Sequence, residues 1–440
     1  MIELLSPAGN PEKLKTALLY GADAVYLAGQ AFGMRSAAGN FTTLALRQAV
    51  EHAHSLRKKV YVTVNTMPLW HEFEPLEDYL RLLNDLRAVG DGDAEAPIRP
   101  DGLIVADLGV FRAAQRLAPD IPLHISTQAG AVSHADCRAW YELGATRVVL
   151  ARELSLNDIR EIRARIPLEL ELEAFVHGSM CVSYSGRCLL SAHLTGRDGN
   201  RGICTQPCRW NYKLYEIEEE KRPDARMELR ETELGTFVMS SRDMCTIEHI
   251  PELIESGICS FKIEGRMKSA YYAAVTANAY RMAIDAYTAA PDAYRCRPEW
   301  KRELESVSHR PYASGYYFDD PMQNPLLCAD LSAPPERRGE MNRIGYLREK
   351  AYLATVLDYD PATRRARMIQ RNKAVEGQCA ELLSPGKIGM PFILRGLQNE
   401  DGEAIPSAPH PGMIFTADMP FPVHAGDILR GGDEEGKPSC

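Results

Sequence analysis

The chain predicts an α/β fold. It consists of a (β/α)8 TIM-like barrel, with a cysteine-rich insertion after its seventh strand and a small C-terminal β-barrel domain. Three observations carry this reading. Eight short apolar runs alternate with stretches of helical periodicity. The runs are rich in Val, Ile and Leu without polar alternation, as strands buried on both faces are. Polar residues gather just beyond them, where a barrel brings its strand ends to one functional face. A doubly wound open sheet is the alternative, but no G-x-G-x-x-G follows the first run, which weakens its dinucleotide-binding form.

The predicted strands are Ile2–Ser6, Ala24–Ala28, Val60–Asn65, Gly102–Ala106, Leu123–Ser126, Arg147–Ala151, Leu168–Val176 and Ser260–Ile263. Helical patterns run over Pro11–Tyr20, Leu44–Leu56, Leu76–Val89 and Leu154–Ile166. The barrel is expected over 1–290, interrupted by the insertion at 178–239. Within the insertion, the alternating charged stretch Leu214–Leu234 reads as an exposed hairpin. A Pro- and Tyr-rich bridging segment is expected over 291–340. Short strands at Ile344–Leu357, Arg364–Gln370, Gln378–Leu383 and Phe392–Leu397 predict the small β-barrel over 341–430, followed by a flexible tail at 431–440.

The bulk numbers bound the function. At 440 residues the chain exceeds one ordinary core. No apolar run reaches the roughly 18–20 residues of a membrane span, so no membrane role is expected. The first residues read as a strand and not as a targeting segment, which points to the cytoplasm, where cysteines serve metals or catalysis more than bridges. A net charge of −9 argues against a broad nucleic-acid surface but leaves room for a local basic patch.

The most informative window is FVHGSMCVSYSGRCLLSAHLTGRDGNRGICTQPCRW. It places Cys181, Cys188, Cys204 and Cys208 at the spacing C-x6-C-x15-C-x3-C. Four thiolates so close can hold an iron–sulfur cluster or a zinc ion; buried, incidental thiols are the plain alternative. Cys245 reads as a core thiol or a substitute ligand. From Gly178 to Lys213 the cations Arg187, Arg197, Arg201, Arg209 and Lys213 face the single acid Asp198, interleaved with Tyr184, Trp210 and Tyr212. Arginine meets phosphate and aromatic faces stack single-stranded bases, so Arg197, Arg201, Arg209 and Trp210 are RNA-binding candidates. Shielding of an anionic cluster is the competing use of the same charges.

Polar residues at the strand ends include Asn65, Asp107, Gln128, Arg152, Glu153, His177, Glu264 and Arg266. Asp107 alone could cap the helix that begins at Leu108, and Arg152 with Glu153 could be a surface pair. Glu173 and His177, at even spacing on one strand, could form an acid–base pair or be satisfied core groups. Protease signatures are poor: there is neither an H-E-x-x-H helix nor a G-x-S-x-G elbow.

The blocks ELEAFVHGSMCVSYSGRCLLS, SPAGNPEKLKTALLYGADAVYLAG and SFKIEGRMKSAYYAAVTANAYR resemble the U32 peptidase-like family over about Met1–Tyr317. The form with RGICTQPCRW is most similar to a branch that hydroxylates uridine 34 of tRNA without oxygen. That resemblance implies 5-hydroxyuridine formation in the tRNA anticodon region, prephenate as a metabolite co-substrate, and a [4Fe–4S] cluster on Cys181, Cys188, Cys204 and Cys208. A paralogous U32 protein is implied as an occasional partner. The resemblance also keeps open a collagenase-like peptidase, and hydroxylation of another RNA or of a quinone precursor. A zinc-stabilised RNA-binding module without catalysis is a third reading. Within the hydroxylation reading, Arg152, Arg187 and Arg266, with Asn65 and Gln128, are candidates for holding a small carboxylate metabolite. His177, Glu153 and Glu264 are the proton-transfer candidates.

Overall fold

The computed structural model describes residues 2–34, 39–88, 97–210, 241–318 and 347–432. The expected hairpin at Leu214–Leu234 lies outside these residues, as do 319–340 of the bridge and most of the tail.

Strands β1 (Glu3–Pro7), β2 (Ala24–Leu27), β3 (Lys59–Val64), β4 (Gly102–Val105), β5 (Leu123–Ile125), β6 (Arg147–Val149) and β7 (Glu171–Ser179) pair in sequence order, all parallel. A short strand β8 (Asp243–Cys245) intervenes before β9 (Ser260–Ile263), which pairs with both β7 and β1 and closes an eight-stranded parallel barrel. The crossovers are α1 (Pro11–Leu19), α2 (Thr43–Ser55), α3 (Phe73–Asn84), α4 (Leu108–Leu117), α5 (His134–Glu142) and α6 (Leu156–Arg163). The cysteine segment carries α7 (Leu190–Thr195), and α8 (Ile250–Glu255) precedes β9. Strand burial is near complete: Leu5, Ala24, Tyr26, Tyr61 and Ile104 form one interior layer.

Local chemistry starts these helices where the sequence places oxygen acceptors. Asp107 accepts from the Val110 amide at 2.9 Å and Ser133 from the Asp136 amide at 3.2 Å. Ser155 and Asp158 cap each other's amides at 3.1 and 3.0 Å. Helix α3 begins at Phe73 and not at the expected Leu76, because the turn before it is already organised: the Glu72 carboxylate accepts from the Leu69 amide at 2.6 Å.

A bulge between Phe175 and His177 interrupts the β7–β9 register. Beyond it, β7 continues as His177–Ser179 and pairs antiparallel with β8. The two ends of the cysteine insertion are therefore tied into one ladder, and β10 (Tyr312–Ala313) extends it beside β8.

The chain divides into two compact units: 1–14, 23–268 and 310–346 form one, and 15–22, 269–309 and 347–440 the other. The sequence expectation drew its line at residue 290. By packing, α9 (Ala270–Ala289) and α10 (Pro298–Glu305) go with the C-terminal strands. Those are β11 (Lys350–Asp360), β12 (Arg365–Gln370), β13 (Ala374–Val375), β14 (Cys379–Leu383), β15 (Met390–Ile393), β16 (Arg395–Gln398), β17 (Ser407–Ala408), β18 (Ile414–Asp418) and β19 (Ile428–Gly432). Seven of them form an antiparallel sheet in the order β15-β14-β19-β11-β12-β18-β16, and β13 pairs with β17. Leu353, Val356, Met368, Leu382, Phe415 and Leu429 are buried in its core. In the same unit Arg430 is fully buried against both oxygens of Glu303, each at 2.7 Å, and against Glu381 at 2.8 Å.

Candidate functional site

The carboxyl ends of the barrel strands and the cysteine segment enclose a cavity of about 120 Å³. Its walls include all four cysteines of the window: Cys181, Cys188, Cys204 and Cys208. Backbone conformation makes this convergence possible. Gly178 sits at φ +108°, where β7 leaves the barrel, and a Cβ there would lie 2.4 Å from the Glu264 carbonyl oxygen. The chain can cross the end of β9 only because no side chain intervenes.

The Cys208 thiol senses its neighbours. Burial raises the Cys208 thiol above its ordinary range; Arg209 opposes that shift, and Cys181 and Cys204 reinforce it. Cys204 Sγ accepts from the Gln206 amide at 3.3 Å, and the segment passes so close that a Cβ on Gly199 would sit 3.6 Å from that sulfur. Among the described residues, no three Cys, His, Asp or Glu side chains close on a point that a single ion would fill. The donor set, four soft sulfurs lining one largely apolar cavity with Arg209 beside them, fits an iron–sulfur cluster chemically.

The anchoring of this segment rests on residues that the sequence reading missed. Arg310 donates to Asp243 Oδ1 at 2.7 and 2.9 Å, to Ser241 Oγ at 3.1 Å and to the Met180 carbonyl at 3.3 Å. It is buried, and it grips the residue before Cys181. Burial pushes the Asp243 carboxyl up, but Arg310, Lys268 and Arg209 together outweigh that and hold it below the usual carboxylate range. Nearby, burial pushes Lys268 down to about 8, with Asp243 opposing and Arg209 and Arg310 assisting.

The floor of the cavity is cationic. Arg152 donates to the Ser179 carbonyl at 3.1 Å and to Glu264 Oε2 at 3.2 Å, with its guanidinium 3.8 Å from the centroid of the Phe175 ring. Arg266 is buried and donates to Thr63 Oγ1 at 3.3 Å. Lys262, a lone cation inside an apolar strand, also lines the cavity and bonds Glu173 at 2.6 Å. Burial pushes Glu173 up, yet Lys262 and Arg147 hold it below its ordinary value. Arg147 Nη1 in turn reaches Glu173 at 3.0 Å and Glu3 at 2.6 Å, so a buried ionic stack supports the floor. The only sequence signal for Lys262 is a charge interrupting the run SFKI.

Of the expected site residues, Asn65, Gln128, Arg152, Glu264, Arg266 and Arg209 line the cavity with the four cysteines. Asn65 is held by the Met34 amide at 3.1 Å and by Ser126 at 3.4 Å. Others lie elsewhere. The bulge turns His177 out of line with Glu173, and its ring packs on Tyr312 at 5.3 Å. It does not line the cavity, and Glu173 is committed to Lys262 and Arg147, so the acid–base pair read from their even spacing is not formed. Glu153 is partly buried outside the cavity lining, its carboxyl raised chiefly by that burial. Arg187 is exposed beside Gly130, and Arg197 is exposed on the cysteine segment. Arg201 bonds Glu72 at 2.8 Å, and Trp210 donates its indole N–H to the Thr205 carbonyl at 3.1 Å. Cys245 faces His177 across the β7–β8 ladder, outside the cavity lining. Asp107 is a helix cap.

No helix among the described residues is long and apolar enough to cross a membrane. The chain is 37% identical to tRNA hydroxylation protein P1 of Bacillus subtilis strain 168, covering 98% of this chain and 94% of that one. It is 36% identical to tRNA hydroxylation protein P of Escherichia coli K12, over 96% and 94%. It is also 32% identical to a collagenase of Porphyromonas gingivalis W83, over 72% and 73%. Residues 9–325 match peptidase family U32 and residues 348–430 match the peptidase family U32 C-terminal domain, so the chain belongs to peptidase family U32.

Proposed function

We propose that this protein hydroxylates tRNA, acting on uridine 34 to give 5-hydroxyuridine. The observation that carries the reading is the joining, in one cavity, of four cysteines from the inserted segment with the cationic floor of Arg152, Lys262 and Arg266. The near full-length likeness to tRNA hydroxylation proteins supports it. Cys181, Cys188, Cys204 and Cys208 would hold a [4Fe–4S] cluster, which when bound supplies one-electron redox and Lewis-acid chemistry. Four thiolates suit such a cluster; a single zinc, which takes the same donors, is the alternative. Arg266 and Lys262 would receive the carboxylates of prephenate, and Arg152 would orient Glu264, the one carboxylate of the proton-transfer set that lines the cavity. Asn65 and Gln128 would bond neutral oxygens.

A peptidase reading has the collagenase relative in its favour. Yet no histidine is among the residues lining the cavity, and a cysteine committed to a metal is not a free nucleophile.

The test compares tRNA nucleosides, by mass spectrometry, from cells lacking the gene and complemented with wild type or Cys181→Ala. Loss of 5-hydroxyuridine derivatives that wild type restores and Cys181→Ala does not is the expected result, with the variant also lacking cluster absorbance and sulfide. An unchanged nucleoside profile in cells without a redundant hydroxylase, or cleavage of gelatin by iron-free protein, would overturn it.

A further inference from the structure

Beside the mouth lies a second cavity, of about 480 Å³, bounded by Phe32, Gly33, Met67, His71, Glu72 and Arg201. The loop from β3 to α3 forms its outer lip, and it presents an unusual surface. Trp70 is 87% exposed, with Leu69 and Met67 exposed beside it. The indole and the His71 ring meet at right angles, 5.5 Å apart, and the indole stays largely open to water. Leaving a tryptophan this bare in water forfeits most of what its burial would contribute, so the exposure calls for an occupant.

The same lip is clipped to the cysteine segment. Arg201 donates to Glu72 Oε1 at 2.8 Å and to the Met67 carbonyl at 3.4 Å. Glu72 is held below the usual carboxylate range, first by the Leu69 amide and then, against a small burial cost, by Arg201. The Arg187 and Arg197 guanidiniums on that segment are exposed and have no partner among the described residues. Tyr184 and Trp210 are exposed there at 49% and 43%. Open cations and open aromatic faces on one segment, in a chain of net charge −9, complement an unpaired polynucleotide: phosphate for the guanidiniums, bases for the rings.

We infer that the β3–α3 loop and Arg201 form a subsite for an unpaired nucleotide of the RNA, next to the one that enters the barrel mouth. Its base stacks on Trp70, and its polar edge meets the Glu72–Arg201 pair at the second cavity. This rests on the tRNA reading above and adds to it a specific reason why a single-stranded loop, and not a duplex, is the substrate.

The experiment measures binding of a transcribed, unmodified tRNA, and of a duplex RNA of equal length, to the cluster-loaded full-length protein, for wild type, Trp70→Ala and Trp70→Phe. Tryptophan emission is recorded in the same titrations. Expected are roughly 5- to 100-fold weaker tRNA binding for Trp70→Ala, a smaller loss for Trp70→Phe, and quenching in wild type that is reduced in Trp70→Phe to the part owed to Trp210. Cluster absorbance is expected to be equal in all three, which separates a binding loss from misfolding. Wild-type binding with no change in Trp70→Ala would overturn the subsite while leaving the tRNA reading intact. Failure of wild type to bind or modify tRNA would overturn both. Equal RNA binding with a shift in sedimentation on Trp70→Ala would assign the patch to protein contact and overturn the proposal.

Discussion

His124, on β5, shows how a buried residue carries a pH dependence. Its ring is buried edge-on against Tyr61 at 4.7 Å, and Nδ1 has no hydrogen-bond partner among the described residues. Burial, and then the charge of Arg147, push its pKa well below the ordinary 6.5. Between the two values the unfolded chain binds a proton that the folded chain does not. Its stability is therefore fully present above about pH 6.5 and falls as pH drops, by up to about 1.4 kcal/mol per unit. The urea midpoint of wild type should fall between pH 7 and 5, and His124→Gln should flatten that slope. An equal slope in both would refute the assignment. Glu173, held low by Lys262 and Arg147, adds its own loss only below its unfolded value of about 4.3, so the two windows separate. At this scale the sequence was half legible. Cysteines announced themselves by spacing, and Asn65, Gln128, Arg152, Glu264 and Arg266 by their place after strands. Lys262 was hidden because one cation in an apolar run reads only as strand, and Arg310 because its partners are more than 60 residues away.

At the scale of elements, the end of β7 decides the site. Even spacing puts Glu173, Phe175 and His177 on one face of a regular strand. One extra residue at the bulge reverses that parity, which is why Phe175 lines the cavity and His177 does not. No alternation in the sequence signals such a bulge. The eight barrel strands, by contrast, were legible to within a few residues, because burial on both faces leaves continuous apolar runs. β8 and β10 were missed because three and two residues carry no pattern, and β18 and β19 because their short runs stand among Gly/Pro turns. Gly178 is the test of this element. A methyl group there meets the Glu264 carbonyl and the residue must keep a left-handed φ, so Gly178→Ala should cost about 2–4 kcal/mol. The outcome to measure is the urea midpoint together with iron content; unchanged values for both would mean the crossing is looser than the geometry requires.

At the scale of the whole molecule, each unit has its own charged anchor: Arg147 with Glu3 and Glu173 in the first, Arg430 with Glu303 and Glu381 in the second. Arg430→Met strands two carboxylates and should cost about 3–5 kcal/mol in denaturant unfolding, with iron per chain unchanged. Iron loss at native conditions would show that the second anchor also supports the first unit's site. The closure of the barrel has a further consequence, in the order in which the chain is made. Among the described residues the ring from β7 back to β1 closes through β9, whose residues follow the last of the four cysteines by more than 50 positions. A nascent chain that has emerged only as far as α8 already carries the complete thiol set, yet it is an open sheet, bare along β1 and along β7 up to its bulge. One of those edges is β7, from which the thiol segment hangs. Until β9 is translated, that seam is a sticky edge beside the thiols, so the moment of synthesis is when the protein is easiest to lose to aggregation.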